Sequence, residues 1–185
     1  MNKDLIFQYF IEYLKEKVSL TLVSLNLIES PEQTNVTLSI GEGPDIKEVS
    51  GTGVGLVDAG FNALLDTYKN DYRSLNTIQL SDLYFQVDHT DRRQISLKSK
   101  TLLKLEFRND SKDRMCFSER TTSMSFTSVS VLVKAFEFYI NCELLFKRLR
   151  FLIQDAESRG RSDVASTYKY ALSKVVEVTR YQNIS

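Results

Sequence analysis

Apolar and polar residues alternate in several short stretches of the chain, which is the pattern of a half-buried β-strand. Polar, turn-forming residues separate these stretches, as between the first two at Pro31. The alternation predicts three strands in each half of the chain, at residues 19–28, 36–40, 46–50, 83–88, 103–108 and 114–119.

Helical spacing of apolar residues follows each set of strands. After the first set, apolar residues at i, i+4, i+7, i+8 and i+11 from Val57 to Tyr68 predict a helix over about 56–70. After the second set, a long helix begins near Ser125 or Thr127. The chain is therefore predicted to be an α+β protein, in which a strand-strand-strand-helix unit occurs twice and forms one two-lobed domain.

The two ends of the chain add helices to this core. Residues 3–16 read as an amphipathic helix, and Arg159–Ser162 interrupts the helical pattern before a final helix with Ser162 as its N-cap. We therefore divide the chain into an N-terminal helix (1–17), a core domain (18–145) and a C-terminal helical hairpin (146–185). The hairpin has two interpretations, a brace for the core or a docking surface for a partner chain.

Three glycines, Gly51, Gly53 and Gly55, join the third strand to the first core helix. Glycines allow a tight turn and a close approach of the backbone, and the amides at a helix N-terminus can bind a carboxylate or phosphate. A dinucleotide fingerprint needs a third glycine at its sixth position, where Leu56 or Asp58 stands, and no P-loop Gly-Lys-Ser/Thr follows. Two interpretations remain, a small-anion site or a tight turn without a ligand.

Composition excludes several classes of partner. The 24 Lys and Arg residues balance the 24 Asp and Glu residues, so the chain lacks the basic excess typical of nucleic-acid binding. No apolar run reaches the length of a membrane span, and the N-terminus lacks a secretory signal. Cys116 and Cys142 have neither metal-binding nor redox spacing. We expect a cytoplasmic protein that binds neither a membrane nor nucleic acid.

Candidate catalytic groups are scarce. His89 is the one histidine and lies in a polar turn, while Cys116 and Cys142 fall in a predicted strand and helix, where cysteine is usually a packed hydrophobe. No zinc-protease, serine-hydrolase or paired-carboxylate motif is present. We expect no catalytic residue, no metal and no cofactor. The hypothesis that the chain is an enzyme of an unrecognised type is therefore disfavoured.

The segment Gly53-Val54-Gly55-Leu56-Val57-Asp58-Ala59 resembles a family motif, Gly-x-Gly-Pro-Val-Asp-Ala. That family is the C-terminal allosteric (dimerisation) domain of alpha-isopropylmalate synthase and of the related citramalate synthases. A second match lies in the long helix, where Lys134-Ala135-Phe136 and Asn141 have the family's spacing. The resemblance covers residues 18–145.

The resemblance implies a regulatory function. Domains of this family dimerise and bind leucine or isoleucine near their glycine-rich loops, which regulates a catalytic barrel of about 250 residues. This chain has 185 residues and is too short to hold such a barrel. The implied partners are a second copy, a branched-chain amino acid and a separate 2-isopropylmalate synthase-type catalytic subunit of leucine biosynthesis. The implied ligand-binding residues are Gly53, Val54, Gly55, Val57, Asp58, Ala59 and Thr127.

The chain departs from the family pattern at four places. Leu56 stands where the family has Pro, Thr127 where it has Asp, and Leu132 where Ser is usual. Residues 117–126 contain no glycine, where the family usually has a glycine-containing loop. A bulky residue disfavours the backbone geometry that a loop glycine permits. An alternative therefore stays open, a structural or interaction module that kept the fold and the dimer surface without the ligand.

Overall fold

The chain folds as two successive β-β-β-α units with one further helix at each end. A computed structural model describes residues 3–87, 101–108 and 114–179. The elements are α1 (Lys3–Tyr13), β1 (Leu20–Glu29), β2 (Thr34–Glu42), β3 (Asp45–Gly53), α2 (Leu56–Tyr68), a 3₁₀ turn (Arg73–Thr77), β4 (Gln79–Val87), β5 (Thr101–Arg108), β6 (Arg114–Thr121), α3 (Met124–Ser158) and α4 (Ser162–Thr179). The predicted α+β class and the duplicated unit are confirmed.

Each unit contributes one three-stranded antiparallel sheet, in the orders β1-β2-β3 and β4-β5-β6. In the middle strand of each sheet, apolar residues alternate with polar ones, so all the apolar side chains lie on one face. This face is completely or almost completely buried; it consists of Val36, Leu38 and Ile40 on β2, and of Leu103, Leu105 and Phe107 on β5. The first strand of each sheet also carries an irregularity in its pairing, between Leu22 and Ser24 and between Leu80 and Asp82. The duplication therefore extends to the position of the β-bulge.

The two units share one hydrophobic core. Helix α2 packs on β2 and β3, whereas α3 packs on β5 and β6 and also reaches β1. The helices contact each other where the rings of Phe61 and Phe136 meet edge to face at 5.4 Å and where Gly60 lies against Leu132. Because these contacts are buried, the two lobes form one body, as the sequence predicts.

Polar side chains on α3 attach the first lobe to the second. The Asn141 amide accepts a hydrogen bond from the Val18 N–H (3.0 Å) and donates one to the Val18 carbonyl (2.8 Å). The Glu137 carboxylate accepts the Leu20 N–H at 2.8 Å. These bonds satisfy backbone groups at the start of β1, which is an edge strand of the first sheet. Asn141 therefore has a structural role in this chain.

Glu143 fixes the connection between the lobes at the 3₁₀ turn. Its carboxylate is almost fully buried, accepts the Ser74 N–H at 2.9 Å and pairs with the Lys147 ammonium at 2.7 Å. Burial by itself would raise the pKa of Glu143, but the hydrogen bonds from Lys147 and Ser74 outweigh burial and lower its pKa. The ionised carboxylate therefore stabilises this connection.

The outer helices pack on the same core. Phe10 of α1 contacts Phe138 of α3 at 5.7 Å between ring centroids, and Tyr13 contacts Tyr168 of α4 at 5.7 Å. Helix α3 is continuous across position 145, so the predicted boundary between core and hairpin falls within a helix. In the part of the chain that the structure describes, no helix is long and apolar enough to cross a membrane.

Some predicted boundaries are wrong by a few residues. Helix α1 ends at Tyr13 rather than at residue 16, and α4 includes Ser162 as its first residue rather than as its N-cap. Strand β4 begins at Gln79 and the 3₁₀ turn precedes it, neither of which the alternation indicated. His89 lies outside the described residues.

Candidate functional site

The predicted site lies where β3 ends and α2 begins. We call residues 51–55 the glycine turn. Gly51 and Gly53 still belong to β3, Gly55 precedes the first residue of α2, and Val54 between them is 89% exposed. The turn is therefore at the surface, at the N-terminal end of a helix that packs one face on the first sheet.

Two of the three glycines are required by packing. A Cβ atom at Gly51 would lie 2.5 Å from both the carbonyl oxygen of Ala59 and the backbone nitrogen of Ala63. A Cβ at Gly53 would lie 2.4 Å from the backbone nitrogen of Ala59. No real Cβ contact is this short, so any side chain here would push α2 away from β3. The backbone that approaches these glycines closely is that of α2 itself.

Gly55 has a different environment. A Cβ atom built on it would have no neighbour within 4 Å, and its backbone is extended, with φ −156° and ψ 176°. Its carbonyl accepts the Ala59 N–H at 2.9 Å, but a glycine offers no side chain to cap the amides of the first helical turn. The N-terminus of α2 therefore presents backbone donors and the positive end of the helix dipole at an exposed position.

Asp58 places a carboxylate at the same end of the helix. One carboxylate oxygen accepts the Val54 N–H at 3.0 Å, and the Asn62 amide donates to the Thr52 carbonyl at 2.9 Å. Both bonds attach the turn to α2. A carboxylate in the first turn also stabilises a helix by roughly 0.3–1 kcal/mol. The exposed end of α2 thus combines backbone donors with one anionic group.

Thr127 lies inside the core, in the first turn of α3. Thr127 is completely buried, and its hydroxyl donates to the Ser123 carbonyl at 2.6 Å. Of the other implied ligand residues, Ala59 is buried, Gly53, Gly55 and Val57 are half-buried, and Val54 and Asp58 are exposed.

The N-termini of the two core helices differ in their capping. Helix α3 has Ser123 as its N-cap, and the Ser123 hydroxyl accepts the Phe126 N–H at 3.3 Å. Helix α2 has a glycine at the equivalent place. The second unit therefore caps the N-terminus of its core helix with a side chain, whereas the first unit does not.

Groups for catalysis or metal binding are few among the described residues. These residues contain no cluster of three or more His, Cys, Asp or Glu side chains that would hold a metal ion. Burial raises the pKa of the Cys142 thiol well above its usual value, which keeps it protonated, and Cys116 is exposed on β6. Cys142 therefore lacks the environment of an activated nucleophile.

Sequence patterns did not indicate a second concave surface, a cavity of about 380 Å³ between α1, β6 and α3. Its lining comes from segments more than 100 residues apart, such as Lys3 and Asn141. The sequence indicates an amphipathic α1 and a long α3 separately, but it does not indicate that they line one cavity.

A scan against models of known protein families finds no match, and a search of curated proteins finds no similar sequence. The architecture is that of an α+β protein with a duplicated β-β-β-α unit and a C-terminal helical hairpin, with four α-helices within residues 3–87, 101–108 and 114–179.

Proposed function

We propose that this chain is a non-catalytic regulatory domain that forms a homodimer, binds a branched-chain amino acid at the glycine turn and regulates a separate catalytic subunit of the 2-isopropylmalate synthase type. The observation that carries the proposal is the exposed N-terminus of α2, which has no side-chain cap and lies beside the Asp58 carboxylate. The resemblance of residues 53–59 to the family motif and the duplicated fold support it.

A zwitterion fits the charges at this helix end. The ligand carboxylate would accept hydrogen bonds from the first-turn amides, such as that of Val57, at the positive end of the helix dipole. The ligand ammonium would pair with Asp58, whose carboxylate is exposed. The half-buried side chain of Val57 and the exposed side chain of Val54 would contact the branched side chain of the ligand.

The edge of the second sheet supports dimerisation. Leu83 and Phe85 of β4 pair with Leu105 and Leu103, so their side chains lie on the face that α3 covers elsewhere in the sheet. Leu83 is nevertheless 37% exposed and Phe85 46% exposed. An edge strand with uncovered apolar residues is a suitable surface for a second copy.

A specific observation also favours the second candidate, an interaction module without a ligand. Gly51 and Gly53 are fully explained by the packing of α2 on β3. In the other repeat, Ser123 caps α3 and Thr127 is buried. On this alternative, the fold and the dimer surface carry the function and the glycine turn is only structural.

Calorimetric titration with leucine, isoleucine and valine separates the two candidates. We expect saturable binding that Asp58→Asn weakens about tenfold, because an uncharged amide replaces a charge-assisted partner while its oxygen still accepts the Val54 N–H. Asp66→Asn is the matched control, since Asp66 is also exposed on α2 but lies near its other end. No heat and no thermal shift at millimolar amino acid would support the ligand-free module instead.

The dimer is tested independently of the ligand. Sizing by light scattering should give twice the chain mass of 21.3 kDa. Phe85→Glu should shift the protein to the monomer, because it places a charge on the uncovered face of β4. A monomeric parent protein would contradict the dimer.

A further inference from the structure

The cavity between α1, β6 and α3 is a separate candidate for ligand binding. We call it the aromatic cavity. It is formed by α1, the connecting residues 17–19, β6 and the middle of α3, and it shares no residue with the glycine turn. Its volume of about 380 Å³ lies within the range of small-molecule sites, which is roughly 300–1,000 Å³.

One side of the aromatic cavity is apolar. Four phenylalanine rings contact one another edge to face, with centroid separations of 5.5–5.7 Å: Phe7, Phe10, Phe117 and Phe138. Phe7 is packed against Phe10 and Phe138 and is still 44% exposed. These rings provide a wall suited to an apolar or aromatic ligand body, since ring edges and faces attract each other beyond the effect of burial.

The charged groups of the lining are mainly cationic. Three lysines, Lys3, Lys17 and Lys134, line the cavity with one carboxylate, Glu137. The Lys3 ammonium lies on the phenylalanine wall itself, 3.9 Å from the centroid of the Phe117 ring, and donates to the Cys116 carbonyl at 2.6 Å. Lys134 forms an ion pair with Glu119 at 3.0 Å, and Lys17 forms no ion pair with any residue that the structure describes. The lining therefore holds two more positive than negative groups, a balance that favours an anionic ligand.

The lining offers little to balance the charge of a ligand ammonium. One oxygen of Glu137 accepts the Leu20 N–H at 2.8 Å, and the charge of this carboxylate is already offset by Lys17 and Lys134 nearby. The Asn141 amide is bonded to the Val18 backbone. A ligand ammonium would therefore meet three lysines and a single carboxylate that two of those lysines already offset.

We propose that the aromatic cavity binds a small monocarboxylate with an aromatic or branched apolar body and no ammonium group. The ligand body packs on the phenylalanine wall, and the carboxylate pairs with Lys17 at the rim. At about 30 Å³ per water molecule, the cavity has the volume of roughly a dozen waters, which suits a ligand of similar non-hydrogen atom count. The inference goes beyond the proposed function, because this site prefers a ligand without the ammonium that the glycine turn would bind.

The test compares two probes that differ only by the ammonium group. The full chain is titrated calorimetrically with 3-phenylpropionate and with phenylalanine. We expect saturable one-to-one binding of 3-phenylpropionate and at least about tenfold weaker binding of phenylalanine, because an unpaired charge would be placed beside the lysines. Absence of saturable 3-phenylpropionate binding, or equal affinity for both probes, would overturn the proposal.

Two variants locate the binding. Lys17→Gln should weaken 3-phenylpropionate about tenfold, whereas Lys15→Gln, which removes the same charge two residues away at an exposed position, should not. Ser118→Phe, at an exposed position on the cavity lining, should block the site by filling it. If 3-phenylpropionate binds both Lys17→Gln and Ser118→Phe as it binds the parent, the site lies elsewhere. Leucine binding at the glycine turn should be unchanged in Lys17→Gln, so the two proposals fail or succeed separately.

Discussion

Replacing Gly53 by alanine tests why the glycine turn has its sequence. The added Cβ would lie 2.4 Å from the Ala59 nitrogen and 2.8 Å from the Asp58 carbonyl carbon. Favourable contacts between heavy atoms are about 3.5–4.0 Å, so the overlap is about 1 Å. The Cβ would also lie 2.5 Å from Oδ2 of Asp58, a side-chain atom that can rotate away, whereas the two backbone atoms cannot. The start of α2 must therefore move.

The expected cost follows from these contacts. Over-packing of this kind costs about 1–3 kcal/mol, of which about 0.4–1 kcal/mol is offset because alanine reduces the entropy of the unfolded chain. We expect a net loss of about 1.3 kcal/mol, which for a chain of this size lowers the melting temperature by roughly 3–5 °C. Gly55→Ala is the matched control, since its Cβ would lie in open space and its extended backbone suits alanine. It should change stability by less than about 1 kcal/mol.

The assay is urea unfolding followed by circular dichroism, with all variants at one protein concentration because a dimer's stability depends on concentration. The account predicts a lower midpoint for Gly53→Ala with an unchanged slope, and a midpoint near that of the parent for Gly55→Ala. Equal midpoints for the two variants would refute the packing explanation.

Three further predictions concern the core and its ionisable groups. Phe136→Ala should lower the free energy of unfolding by about 3–5 kcal/mol, because this ring is completely buried between the lobes; a loss below about 1 kcal/mol in urea unfolding would show that the ring is not in the core. The fold lowers the pKa of Glu143. Its ionised carboxylate therefore stabilises the folded state at pH values above its unfolded-state pKa of about 4.3, and this stabilisation disappears as the pH falls through the folded-state pKa. Glu143→Gln should therefore be destabilised in thermal melts near pH 7, with a difference from the parent that shrinks near pH 3; a constant difference would contradict this. A thiol-labelling reagent should react with Cys116 in the folded protein and with Cys142 only after unfolding, and equal native rates would contradict the burial of Cys142.

Local patterns were sufficient to predict most of the fold. Strands β2 and β5 alternate clearly because one face is buried under a helix, and both helix patterns follow from their packed faces. The end of α1 and the start of β4 were less accurate. Residues 14–16 continue an amphipathic pattern beyond the helix. In β4 the irregularity between Leu80 and Asp82 interrupts the alternation, so that only the part from Leu83 onward has a clear strand pattern.

The candidate site was only partly visible in the sequence. The glycines and Asp58 are adjacent along the chain, so the turn and the helix end were predictable. The packing role of Gly51 and Gly53 depends on Ala59 and Ala63 of the next element, a contact that only the fold provides. The aromatic cavity was not predictable, because its walls come from residues at opposite ends of the chain that α3 brings together.

The most direct test of the regulatory account is a ¹⁵N–¹H NMR titration of the full chain with leucine. The account predicts saturable shifts of the backbone amides from Gly53 to Ala59, with the largest at the uncapped first turn of α2, and little change at the amides of Lys17 and Ser118 in the aromatic cavity. Unchanged amides at residues 53–59 in saturating leucine would contradict the account and leave the ligand-free interaction module as the function of this fold.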